Sequence, residues 1–199
     1  MHGHAANSDS FDFLRRNLPG ASSVLTDYAT EQGFSANYDA MLTQLRDIDD
    51  MFFIAHSLGG TYALHLANAL PAQVRGAVTI STPYGGSQAA QMVKFMLPFN
   101  QVLRDIQPGS PPIEEANRLP ILHPWTNIVT TEGRSSLMLH ANDGVVTQQS
   151  MRRREDIRLA EVDSNHFDVL LNPDTLRLIA EAIHAVRAET GDGRRLSGQ

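Results

Sequence analysis

Residues 51–62 have the sequence M-F-F-I-A-H-S-L-G-G-T-Y, and this stretch decides the fold. Its first residues are apolar, as in a strand that is buried on both faces of a parallel sheet. Ser57 follows, where a helix would begin. So sharp a turn strains the residue at its tip and needs small residues two positions before and after it. Ala55 and Gly59 meet that requirement, so the stretch predicts a nucleophile elbow with Ser57 as the nucleophile.

Apolar runs alternate with segments of helical periodicity along most of the chain. This βαβ rhythm predicts the α/β class, with a mostly parallel sheet flanked by helices. The predicted strands cover residues 22–25, 51–55, 74–80, 127–131, 137–140 and 157–162. The predicted helices cover residues 38–46, 58–70 and 173–187.

The rhythm breaks between residues 87 and 126, where a Met- and Phe-rich helical stretch precedes a run with many prolines. A region of this kind predicts a cap or lid. The side chains of Met92, Phe95 and Met96 are then candidates for binding the acyl part of a substrate, although they fit an ordinary core equally well.

Length and composition predict one domain. The chain has 199 residues, of which 42% are hydrophobic and 19% charged, enough for one sizeable core at residues 1–190. The Gly-, Arg- and Ser-rich tail at 191–199 is predicted to be disordered. The net charge of −6 gives no general attraction for nucleic acid. With no cysteine, the chain has no thiol nucleophile, no disulfide and no thiolate metal site.

The N-terminal sequence M-H-G-H-A-A-N-S lacks the apolar core of a signal peptide, and no run is long enough to cross a membrane. As written, the chain is predicted to be cytoplasmic and not stably inserted in a membrane. A start upstream of Met1 would leave secretion or a periplasmic location open.

Two residues downstream of Ser57 supply what a serine nucleophile needs, namely a base and an acid that orients the base. Asp143 lies in A-N-D-G-V-V-T and His166 in D-S-N-H-F-D-V-L-L. Each follows a predicted strand, and catalytic groups collect at the carboxyl ends of strands in α/β sheets. The chain order Ser, Asp, His also suits a serine on a nucleophile elbow. Asp163 and Asp168, which flank His166, are alternative acids.

The chain resembles a compact α/β-hydrolase, and within that superfamily the small bacterial lipases and esterases with A-H-S-x-G at the elbow. The usual elbow motif is G-x-S-x-G, so Ala55 is a mild departure. The resemblance covers nearly the whole chain. Beyond the elbow it rests on S-T-P-Y-G-G-S (81–87), R-D-I-Q-P-G-S-P (104–111), N-D-G-V-V (142–146) and N-H-F-D-V-L-L (165–171).

This resemblance implies roles for five residues. Ser57 would be the nucleophile, His166 the general base and acid, and Asp143 the acid that orients it. The oxyanion would be bound by the backbone N–H groups of Leu58 and His4, the latter through the His2-Gly3 match to the family's H-G loop. No cofactor is implied. His2 and His4 are disfavoured as a metal pair because no third ligand lies at a suitable spacing, so no metal site is predicted.

The start of the chain departs from the family pattern. In the family the H-G loop follows an interior strand next to the elbow strand, whereas only Met1 precedes His2 here. N-terminal strand structure is therefore expected to be missing. Either the natural protein begins earlier, which we favour, or the neighbouring strands close directly, or another chain supplies the strand. If the short chain is complete, marginal stability or a homo-oligomer is expected.

The predicted function is a serine hydrolase that cleaves small-molecule or lipid carboxylic esters through an acyl-enzyme, as lipases and esterases do. A thioesterase, lactonase, amidase or acyltransferase would use the same triad. A protein of another class, a non-catalytic binding protein with this fold, is the further alternative.

Overall fold

A computed structural model describes residues 1–2, 8–18, 22–29, 31–93, 100–133 and 140–196. Its centre is a parallel sheet with the strand order β1-β2-β3-β4, in which each strand pairs with the next along the chain. Parallel pairing needs a long crossover between strands, and the connecting segments of this chain contain helices. The strands are β1 (Met51–His56), β2 (Val74–Ile80), β3 (Trp125–Thr130) and β4 (Arg158–Val162).

Eight α-helices occur in the described part of the chain. They are α1 (Asp12–Asn17), α2 (Phe34–Leu45), α3 (Leu58–Ala69), α4 (Gln88–Val93), α5 (Gln101–Asp105), α6 (Pro111–Arg118), α7 (Gln148–Met151) and α8 (Pro173–Leu196). Two short 3₁₀ helices, Ser8–Phe11 and Asp168–Leu171, precede α1 and α8. None of these helices combines the length and the apolar character needed to cross a bilayer.

The sheet is buried on both faces, as its apolar strands predict. One face packs against α2 and α3, in a core that includes Met41, Phe53, Leu58 and Leu66. The other face packs against α1 and α8, in a core that includes Leu14, Val78, Ile128 and Ile179. Helices on both faces of a parallel sheet confirm the predicted α/β architecture.

Several predicted elements agree with the structure, and others differ for identifiable reasons. The strands predicted at 51–55, 74–80, 127–131 and 157–162 and the helix at 58–70 are confirmed, with small differences at their ends. The strand predicted at 22–25 is wrong, since these residues pair with no strand; the side chain of Gln44 instead donates to the carbonyl of Leu25. The strand predicted at 137–140 falls largely on residues 137–139, which lie outside the described part.

Two helices are longer than predicted. Helix α2 begins at Phe34 rather than at residue 38, because the carboxylate of Asp105 accepts a hydrogen bond of 2.7 Å from the Phe34 N–H. Helix α8 continues to Leu196, so residues 191–196 are helical where a disordered tail was predicted. An established helix gains one hydrogen bond for each residue it adds, which can offset the cost of about 1 kcal/mol per glycine.

The region predicted as a cap or lid contains α4, α5 and α6 in its described part. The role of a lid stays a prediction. Met92 lies in α4. Phe95 and Met96 lie outside the described residues, so the predicted acyl-binding role of these three also stays a prediction.

The outer edge of β1 is where the missing interior strand was expected. Main-chain atoms of Met1 bond to this edge: its amino group donates to the carbonyl of Ile54 at 3.0 Å, and its carbonyl accepts from the N–H of His56 at 3.0 Å. Burial lowers the pKa of the Met1 amino group to about 5. Beside the same edge lies a cavity of about 530 Å³, lined by Leu14, Phe52 and other residues.

Candidate active site

The turn between β1 and α3 has the strained geometry of a nucleophile elbow. Ser57 has φ 54° and ψ −126°, in a region that L-residues rarely adopt. It follows the last residue of β1 directly and precedes Leu58, the first residue of α3. Its N–H donates to the carbonyl of Ile80 on β2 at 2.8 Å, so the adjacent strand helps to hold the turn.

Two glycines after the elbow are required by close packing. A Cβ atom on Gly59 would lie 2.6 Å from the carbonyl oxygen of His2 and 2.7 Å from that of Met1. A Cβ atom on Gly60 would lie 1.9 Å from Oγ1 of Thr82. The sequence predicted a small residue at Gly59, but the contact that demands glycine at Gly60 involves another strand end and has no local sequence signal.

The structure brings Ser57, His166 and Asp143 together in one hydrogen-bonded series. Nε2 of His166 lies 3.1 Å from Oγ of Ser57, and Nδ1 lies 2.7 Å from Oδ2 of Asp143. The serine and histidine are 109 residues apart in sequence. All three side chains are buried, with exposed fractions of 6% for Ser57, 3% for His166 and 1% for Asp143. This arrangement can pass a proton from the serine to the imidazole beside a fixed carboxylate.

The carboxylate of Asp143 accepts hydrogen bonds from four donors. Its Oδ1 accepts from the backbone N–H groups of Val145 at 3.0 Å and Val146 at 2.7 Å, and its Oδ2 accepts from Oγ1 of Thr130 at 2.5 Å as well as from His166. Burial alone would raise the pKa of Asp143, but hydrogen bonds from His166 and Thr130 outweigh burial and keep that pKa below its usual value. Asp143 is therefore ionised beside the imidazole.

The alternative acids lie elsewhere. Asp163 accepts a hydrogen bond of 2.5 Å from Oγ1 of Thr131 on the exposed surface. Asp168 accepts from Nδ2 of Asn165 at 2.6 Å, also on the surface. Neither bonds to His166, whose Nδ1 is directed to Asp143.

The loop that carries His166 follows β4 and is fixed at several points. The N–H of His166 donates to the carbonyl of Asp143 at 3.0 Å, so main chain and side chain of the histidine both bind the same residue. The side chain of Asn165 accepts from the N–H groups of Phe167 and Asp168 and so turns the chain into the 3₁₀ helix that follows. The phenyl ring of Phe167 packs edge-on against the imidazole and is 56% exposed.

The predicted oxyanion donors are described only in part. Because Leu58 is the first residue of α3, its N–H has no acceptor within the helix and can bind an anion at the helix N-terminus. His4 lies outside the described residues, so its role as second donor stays a prediction. The nearby main chain of Met1 and His2 does lie against the start of α3, at the position that Gly59 leaves open.

His2 has a contact set that differs from that of a metal ligand. Its ring stacks on Tyr28, with centroids 4.3 Å apart, and its Nε2 lies 3.2 Å from a carboxylate oxygen of Asp27. Among the described residues there is no group of three or more His, Asp and Glu side chains placed to hold a metal ion.

Sequence reasoning missed three polar residues of the site. Thr130 is the last residue of β3 and donates to Asp143, while Ser81, just after β2, bonds to the Thr130 hydroxyl at 3.0 Å. Ser81 also has a positive φ of 50°. His56, the residue before Ser57, bonds to the main chain of His166. A signal was available for two of them, because Ser81 and Thr130 lie at strand ends like the catalytic candidates.

Comparisons with known proteins were made on sequence and on structure. No family model matches the chain, and no curated protein matches it in sequence. A lipase of Bacillus licheniformis in its mature form has a similar structure, with a TM-score of 0.71, 17% identity and coverage of 85% of this chain and 84% of the lipase. A monoacylglycerol lipase of Paleococcus ferrophilus gives a TM-score of 0.66 at 15% identity, covering 94% and 93% of the two chains.

A thermophilic esterase of Thermogutta terrifontis gives a TM-score of 0.54 at 14% identity, covering 93% of this chain and 88% of the esterase. At such identities the likeness concerns the fold. Together with the parallel sheet and the strained serine turn at the end of β1, it leads to one conclusion: this chain has the α/β-hydrolase fold.

Proposed function

We propose that the protein is a serine hydrolase that cleaves carboxylic esters through a covalent acyl-enzyme. The observation that carries this proposal is the hydrogen-bonded series from Ser57 through His166 to Asp143, built on a strained strand-to-helix turn. Ser57 combines a strained backbone with a hydrogen-bonded buried imidazole and an ionised carboxylate, and such combinations cluster at active sites.

Each residue has a defined role in the proposed reaction. Nε2 of His166 takes the proton of Ser57 as Oγ attacks the ester carbonyl, and Asp143 stabilises the imidazolium through Nδ1–H. The N–H of Leu58 donates to the oxyanion that forms, with the N–H of His4 as the second donor. His166 then protonates the departing alcohol. In the second half of the reaction it activates water, which hydrolyses the acyl-enzyme and frees Ser57.

The choice of an ester is supported by the similar structures, which belong to lipases and esterases. A small-molecule or lipid ester is therefore the proposed substrate. Thioesters, lactones and amides require the same three residues, so a panel of these substrates at equal concentration decides between them. An ester hydrolase should show its highest kcat/KM on the oxygen ester.

The decisive test is the Ser57→Ala variant. It should lower the turnover of a chromogenic short-chain ester by at least ~10³-fold, because the nucleophile is lost, and leave the circular dichroism spectrum unchanged. Ser22→Ala, which alters an exposed serine remote from the triad, should keep wild-type turnover. Undiminished turnover in Ser57→Ala would refute the assignment.

A fluorophosphonate probe separates the enzyme from a non-catalytic binding protein with the same fold. An assembled triad should be labelled at Ser57, as located by mass spectrometry of the digested protein, and the Ser57→Ala variant should stay unlabelled. Absence of labelling in the folded wild-type protein would favour the binding protein.

A further inference from the structure

His56 lies directly beneath the proposed general base. It is the last residue of β1, only 1% exposed, and its Nε2 lies 2.7 Å from the carbonyl oxygen of His166. The two imidazole rings are neighbours, with centroids 4.7 Å apart and planes inclined by 51°. The residues are 110 positions apart in sequence, so this contact exists only in the folded chain.

The contact fixes the protonation of His56. A carbonyl oxygen can only accept, so Nε2 of His56 must carry the hydrogen. Its Nδ1 is buried without a hydrogen-bond partner among the described residues. Burial, with His166 nearby as a further cause, lowers the pKa of His56 to about 3. His56 is therefore a neutral donor throughout the neutral range and places no charge beside the base.

The hydrogen bond from His56 to His166 joins two parts of the site that the other main-chain contacts of His166 do not join. Apart from the contact of its Nε2 with Oγ of Ser57, the hydrogen bonds of His166 through its N–H and its Nδ1 both lead to Asp143. They fix the base relative to the acid. His56 is the residue before Ser57, so its bond fixes the base relative to the strand end that carries the nucleophile.

We propose that His56 is a positioning residue: its Nε2–H holds the main chain of His166 so that the imidazole stays within hydrogen-bond reach of Ser57. This inference rests on the proposed serine hydrolase function. Without the bond, His166 would keep both contacts with Asp143, but only the hydrogen bond between its Nε2 and Oγ of Ser57 would hold the imidazole near the nucleophile. Proton transfer is sensitive to the distance between these two atoms, and misplacement by about 1 Å can cost ~10²-fold in rate.

The test compares two substitutions at His56 with one at a matched histidine. His56→Leu removes the donor, and His56→Gln retains an N–H donor near the position of Nε2. His65 is a suitable control because it is also buried and its Nε2 also contacts a carbonyl, that of Pro112 at 3.1 Å, away from the triad. Each variant is assayed for ester turnover, fluorophosphonate labelling rate and stability in urea.

His56→Leu should lower kcat and the labelling rate by ~10- to 100-fold with KM changed by less than about 3-fold. His56→Gln should recover most of that loss, and His65→Leu should lose stability without losing kcat. A folded His56→Leu protein with the wild-type labelling rate would overturn the proposal. If His56→Leu does not fold, His56→Asn replaces it: its shorter amide cannot reach the carbonyl, so rates equal to those of His56→Gln would overturn the proposal too.

The two proposals fail in different ways. A wild-type protein that neither turns over esters nor reacts with the probe would refute the serine hydrolase itself. A reactive wild-type protein whose His56 variants react equally fast would refute only the positioning role.

Discussion

At the scale of single residues, the catalytic candidates were predictable, whereas the contacts that hold them in place were not. Ser57, Asp143 and His166 each follow an apolar run, and small or turn-forming neighbours mark their loops. The contacts that hold them come from residues far away in sequence, as with His56 and His166. Such a contact leaves no periodicity or motif, so no local pattern could have indicated it.

The choice of acid is testable with two conservative substitutions. Asp143→Asn should lower kcat by ~10³- to 10⁴-fold, because the amide cannot stabilise the imidazolium and favours the wrong tautomer of His166. Asp163→Asn is the control, since that exposed carboxylate bonds to Thr131 and should change kcat by less than about 3-fold. Steady-state kinetics on one chromogenic ester compares them. Greater damage from Asp163→Asn would reverse the assignment.

At the scale of elements, a predicted helix or strand agreed with the structure where its ends are determined by residues nearby in sequence. Helix α3 was predicted to within a residue at its end, because the strand and sharp turn before it mark its start and Pro71 marks its end. Helix α2 starts earlier than predicted because Asp105, 71 residues away from Phe34, binds its first N–H. The strand predicted at 22–25 failed because an apolar run cannot show whether a partner strand is available.

The close packing of α3 against the residues after β2 predicts that a methyl group added at Gly60 lowers the stability of the fold. Gly60→Ala would place its Cβ against the Thr82 side chain and should lower the free energy of unfolding by ~1–3 kcal/mol, as overpacking does. Gly33→Ala is the matched control, because its Cβ would meet the flexible Gln101 side chain at 3.3 Å and Oδ2 of Asp105 at 3.7 Å, both farther away than the Thr82 atoms at Gly60. Urea unfolding of the two variants gives the comparison. Equal stability of Gly60→Ala and wild type would show that Thr82 moves freely.

At the scale of the whole molecule, the sheet was predictable and its edge was not. The α/β rhythm predicted a mostly parallel sheet, but nothing in the composition showed that Met1 bonds along β1 beside a cavity. Whether the protein forms a homo-oligomer stays a prediction, which sedimentation at several concentrations would test.

Global stability should fall in mild acid because His56 is buried as a neutral base. Its pKa is about 3 in the folded protein, against the usual 6.5, so between these values the unfolded chain binds more protons and acid favours unfolding. From pH 7.5 to 5 this contribution amounts to about 2 kcal/mol. His56→Gln should lose correspondingly less stability over that interval, as measured by urea unfolding at both pH values. If the free energy of unfolding depends on pH identically in the two proteins, His56 does not have a lowered pKa in the folded protein.

The 109 residues between Ser57 and His166 also have a consequence for biosynthesis. At translation rates of about 5 to 20 residues per second, the serine leaves the peptidyl transferase centre on the order of 5 to 20 s before the histidine is added. During that interval the nascent chain holds an alcohol with no base to activate it. The proposed hydrolytic activity would therefore begin only when β4 and the loop after it have been made, and a chain that terminates before His166 would lack the proposed general base.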